Sequence, residues 1–254
     1  MRQSSLFIYR SGVQARDAMP SHNKRSKQAG NVFIIILLGV FLFGALMYSF
    51  SRSGQKGTGN LTKQQAKIAA QEILNYARLV EGAVDRVRRN GCSETEISFE
   101  NSVVSGYENP NSPADNSCHI FEEEGGKISY FTPPEDWNDS SQSSELNYGE
   151  LFFTGRTLIR NLGVDTKDDL IFIISWLPKS ICESLNNMLF GEITITEDPG
   201  GWGRLEVHKF NGIYDYVDSG IDLSSYDLHN KQTSACYSSQ SFGGYHFYHV
   251  LLAR

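Results

Sequence analysis

The sequence predicts an α+β protein built in three successive parts: an N-terminal apolar helix, an amphipathic stalk helix, and a β-rich domain stabilised by disulfides. Three observations predict it. Residues 31–51 form one uncharged run, residues 62–91 repeat small apolar side chains at helical spacing, and the stretch after Cys92 breaks into short apolar runs between turn residues.

The apolar run reads NVFIIILLGVFLFGALMYSFS, twenty-one residues without a charged side chain. As a helix it would be about 31 Å long, matching a bilayer core of about 30 Å. A core helix of a water-soluble domain would carry a polar stripe, and none is present. A cleaved secretory signal is the competing reading, but its apolar region usually covers only about 7 to 15 residues. Tyr48 and Phe50 sit at one end, where aromatic rings suit the membrane interface.

Charge orients the run. Residues 1–30 hold Arg2, Arg10, Arg16, Lys24, Arg25 and Lys27 against Asp17 alone, about +5, so the rest of a chain whose net charge is −6 carries about −11. Positive charge stays on the cytoplasmic side, which puts residues 1–30 in the cytoplasm and the larger part across the inner, cytoplasmic membrane. An acidic outer part argues against a nucleic-acid partner.

Cysteine usage points the same way. Cys92, Cys118, Cys182 and Cys236 all follow the apolar run, an even number suited to disulfides in an oxidising compartment. Three pairings are open. Cys92 with Cys118 and Cys182 with Cys236 is favoured because neighbouring pairs close shorter loops. No Cys-x-x-Cys spacing supports a zinc or redox motif.

Residues 52–61 form a Gly-rich linker. The stalk helix over 62–91 opens on a capping box, Thr62 with Gln65, and closes on Arg86, Arg88, Arg89 and Gly91, residues that suit a helix C-terminus. Its stripe, Ala66, Ala70, Ile73, Ala77, Val80, Val84 and Val87, advances in steps of four and three. Such a stripe packs either against the chain's own domain or along a seam with partner helices.

Residues 92–254 form the outer α+β domain. Candidate strands are Glu96–Phe99, Lys127–Phe131, Leu151–Phe153, Leu170–Ser175, Glu192–Thr196, Arg204–Phe210 and Tyr245–Leu252, with a short helix over Pro178–Phe190. Asn109–Asn116 and Pro133–Ser144 read as loops, and Asp165, Asp168 and Asp169 as a solvated turn.

The order of a basic leader ending KRSKQAG, an apolar helix starting after Gly30, a small-residue helix and a disulfide-bearing domain resembles a type IV pilin or pseudopilin. The resemblance implies leader cleavage between Gly30 and Asn31, bundling of the N-terminal helices of several subunits, and a structural rather than enzymatic role. The fifth residue after Gly30 is Ile35, where that family usually carries Glu. The expected function is a membrane-anchored structural or minor subunit of a cell-envelope assembly; the alternative is a tethered module that binds a glycan or protein outside the cell membrane.

Residue patterns offer no catalytic, cofactor-binding or metal-binding site. His246 and His249 stand three apart, but in a strand that spacing puts them on opposite faces. Gly200, Gly201 and Gly203 lack the lysine of a phosphate loop, and no GxSxG or HExxH motif occurs. Tyr237, Phe242, Tyr245, Phe247 and Tyr248 are read as core rather than as a stacking surface.

Overall fold

A computed structural model of the protein describes residues 34–44, 61–164, 166–199, 208–214 and 220–254. The chain divides into two units, Met1–Lys56 and Gly57–Arg254.

In the first unit residues 34–44 form helix α1, and every one of them is exposed. Ile34, Ile35, Ile36, Leu37, Leu38, Val40, Phe41, Leu42 and Phe43 expose between 55% and 73% of their surface. Among the described residues no helix is long and apolar enough to cross a membrane. Residues 31–33 and 45–51 of the apolar run, the Gly30–Asn31 junction and nearly all of the 52–61 linker lie outside the described residues.

The second unit opens with α2, Lys63–Arg89. Thr62 Oγ1 accepts the Gln65 N–H at 3.3 Å and Gln65 Oε1 accepts the Thr62 N–H at 3.0 Å, so the capping box satisfies two otherwise unpaired donors. All seven stripe residues from Ala66 to Val87 are fully buried in the second unit's own core. At the far end the helix stops at Asn90, and Gly91 turns the chain at a φ of 108°.

Among the described residues six strands follow, interrupted by α3: β1 Leu151–Ile159, β2 Asp169–Ile174, α3 Lys179–Phe190, β3 Thr196–Asp198, β4 Gly220–Ile221, β5 Ser234–Ser239 and β6 Tyr245–Leu252. The sheet order is β3-β5-β6-β2-β1-β4, antiparallel except for the parallel edge pairs β1/β4 and β3/β5. Its two edges meet, because the Asp222 N–H beyond β4 donates to Asp198 Oδ1 at the end of β3 at 3.2 Å. The sheet is nearly closed, and period-two alternation gives it two cores. Phe153, Phe172, Cys236 and Phe247 pack with α2 and α3; Phe152, Ile171, Ile173, Tyr237, Tyr248 and Val250 fill the other side.

Two tyrosines replace missing strands. Tyr107 Oη donates to Leu151 O at 3.2 Å and accepts the Phe153 N–H at 3.1 Å, pairing the free edge of β1 as a neighbouring strand would. Tyr76 does the same for Ser129 O and the Phe131 N–H, each at 3.2 Å. Lys127–Phe131 is consequently not a strand: a side chain from α2 takes its backbone groups.

Glu96–Phe99 is likewise corrected to a 3-10 turn, Glu94–Glu96, followed by one bridge between Ser98 and His119. Of Glu192–Thr196 only Thr196 is in a strand, since Asn186 Nδ2 holds Thr194 O at 2.7 Å before pairing with β5 begins. Residues 204–207 lie outside the described residues, and Phe210 makes one backbone bond, to Phe153 O at 2.9 Å.

Candidate functional site

Two disulfides form, Cys92–Cys118 and Cys182–Cys236, the neighbouring pairing. Such bonds persist in oxidising, extracytoplasmic surroundings. The first ties the end of α2 to the following loop, and the second ties α3 to β5. Beside the first lies a cavity of about 200 Å³ lined by Asn90, Gly91, Cys92, Glu96, Ser117 and Glu124 among others.

A connected polar group lies where α2 meets the sheet. On β6 alternate side chains face opposite ways, so His249 points to α2 while His246 points to the other side, beside Tyr237 with ring centroids 5.6 Å apart. Ser234, on β5, is the cross-strand partner of His249. Glu81 sits at the margin of the buried face of α2.

These three side chains form a chain of hydrogen bonds. His249 Nε2 donates to Glu81 Oε2 at 3.1 Å, which leaves Nδ1 of the neutral ring to accept the Ser234 hydroxyl at 2.5 Å. Burial holds His249 below the ordinary histidine range; Glu81 opposes that shift and Arg78 adds to it. The order hydroxyl, imidazole, carboxylate is that of a proton relay. Ser234 is only 7% exposed, however, and a nucleophile needs a face open to substrate. The physical role the geometry supports is a tie between α2 and the sheet.

Two further histidines are enclosed. His229 Nδ1 shares a hydrogen bond with Thr196 Oγ1 at 2.6 Å, and burial lowers its pKa. His246 Nε2 donates to Gly243 O at 2.9 Å, leaving a buried Nδ1 without a partner among the described residues, and burial pushes its pKa down to about 4. Trp176 packs edge-on against it at 4.9 Å between centroids, from a left-handed backbone with φ of 63° that a bulky side chain seldom adopts. Among the described residues no three His, Cys, Asp or Glu side chains are grouped closely enough to hold a metal.

The acidic turn expected near residue 168 is corrected. Asp168 and Asp169 are 1% and 0% exposed, and Asp169 accepts the Ile159 N–H at 2.8 Å and the Arg254 N–H at 2.8 Å. Backbone donors take the place of water around that carboxylate. Asp165, Gly200, Gly201 and Gly203 lie outside the described residues. The aromatic group is divided: Phe247 lies in the helix-facing core, Tyr237 and Tyr248 lie in the other, and Phe242 is 46% exposed.

Sequence reasoning missed the tie because its members are far apart along the chain and β5 was not anticipated. The one available signal was Glu81 itself, an acid beside the apolar stripe. No protein-family model, curated protein or solved structure matches the chain.

Proposed function

We propose that this chain is a membrane-anchored, pilin-like structural or minor subunit of a cell-envelope assembly, with a non-enzymatic outer domain on the far side of the inner membrane. The observation that carries the reading is α1: an apolar helical surface exposed on every side, in a run preceded by six cationic residues. Such a surface is stable in lipid or against other apolar helices, not in water. The disulfides fit an oxidising exterior, and the partly buried His249–Glu81 hydrogen bond holds α2 to the sheet within the outer domain.

Cysteines placed singly by Ile35→Cys or Leu38→Cys in the full chain test the assembly role. In native membranes they are expected to give discrete dimers or ladders, dependent on position. Uniform, position-independent crosslinking at the level of random collision would contradict the role. Mass spectrometry of the same protein reads the Gly30–Asn31 junction directly: a chain beginning at Asn31 supports leader processing, and an intact Met1 removes it.

A further inference from the structure

The face of α2 opposite its buried stripe is unusual for a surface that meets only water. Ile68 and Leu79 are each 49% exposed, and Glu72, Asn75 and Gly82 lie between or beyond them on the same side. Their spacing, 68, 72, 75, 79 and 82, alternates steps of four and three, the repeat of a helix-pairing seam. Gly82 has no neighbouring atom within 4 Å of where a Cβ would stand. A mid-helix glycine weakens a helix relative to alanine, and nothing within the described unit requires one here.

We propose that this face pairs with the same face of a second copy of the chain, the two α2 helices running antiparallel. With the two-fold axis at the level of residues 73 and 74, Ile68 enters the hole formed by Asn75, Arg78, Leu79 and Gly82 of the other copy. Leu79 enters the hole formed there by Gln64, Lys67, Ile68 and Gln71. Gly82 is the wall of the first hole, and its missing side chain makes room for the Ile68 methyls.

Charge selects this direction. In the antiparallel register Glu72 lies beside Arg78 of the other copy, and symmetry makes the contact twice. Neither residue has an ion-pair partner among the described residues, and both are exposed. A parallel, in-register pair would instead set Glu72 against Glu72 and Arg78 against Arg78, with Gly82 facing Gly82 across a gap. This pairing uses a surface separate from α1 and does not depend on the function proposed above.

The test co-expresses two differently tagged full-length chains, one carrying Ile68→Cys and the other Leu79→Cys, and treats them with a short thiol crosslinker. The mixture is expected to crosslink at least tenfold more than either variant alone. Equal crosslinking of each variant with itself would overturn the antiparallel register, and no crosslinking in any combination, or crosslinking only to a different protein, would overturn the pairing. Glu72→Arg and Arg78→Glu should each abolish the product, and the two on one chain should restore it; a double variant no better than the single ones also overturns it. Gly82→Leu serves as a steric control: its side chain meets open space in the single chain, so the fold and both disulfides persist while the crosslink is lost.

Discussion

Asn186 of α3 treats Cys236 of β5 as though it were a strand neighbour. Its side-chain oxygen accepts the Cys236 N–H at 2.9 Å, and its Nδ2 donates to Cys236 O at 2.8 Å and to Thr194 O at 2.7 Å. The amide is fully buried and lies one helical turn from Cys182, which is bonded to Cys236 itself. One side chain and one disulfide therefore hold the same strand residue to the same helix.

Asn186→Ala leaves the backbone N–H and C=O of Cys236 buried without these partners. The expected loss is about 2 to 4 kcal/mol in denaturant unfolding with the disulfides intact. Asn186→Asp keeps an acceptor for the Cys236 N–H; ionised near neutral pH it has no donor for the two carbonyls and should be worse than alanine, and it should fall between wild type and alanine only at a pH low enough to protonate it, when one donor returns.

His246 makes stability pH-dependent. Its pKa is about 4 in the folded chain and close to 6.5 when unfolded, so between these values the unfolded chain takes up a proton that the folded chain refuses. Stability is whole above about pH 6.5 and falls as pH drops toward 4, by about 3 kcal/mol from this residue. His229 and His249 are shifted downward too and steepen the same fall. His246→Gln, compared with wild type across that range by chemical denaturation, should show a shallower pH slope even if it is less stable throughout.

The two disulfides should reduce in order. Cys182 and Cys236 are both fully buried, whereas Cys92 is partly exposed beside the small cavity. Under mild thiol reductant without denaturant, alkylation followed by peptide mass mapping should label Cys92 and Cys118 well before the other pair. Replacing either pair with alanines should cost about 3 to 4 kcal/mol on loop-entropy grounds, given separations of 26 and 54 residues.

Local chemistry that repeats along the chain was legible, and chemistry assembled across it was not. The Thr62–Gln65 box, the buried stripe of α2, the helix after Pro178 and the strand Tyr245–Leu252 each follow from a few adjacent residues. β5 escaped because SACYSS has few of the branched side chains that mark a strand; it is held by β3, β6 and Asn186 instead. β4 is two residues long and has no periodicity to read. Lys127–Phe131 looked like a strand and failed because Tyr76 took its pairing groups. The Glu81–His249–Ser234 tie joins residues 168 and 15 positions apart, a relation that only the fold creates.

Lysis without detergent, followed by high-speed sedimentation and alkaline washing of the pellet, tests membrane anchoring most directly. The full chain is expected to remain in the washed membranes and to enter solution only when detergent is added. Recovery of the intact, unaggregated polypeptide in the first supernatant would contradict the anchored role of residues 31–51 and, with it, the envelope-assembly function.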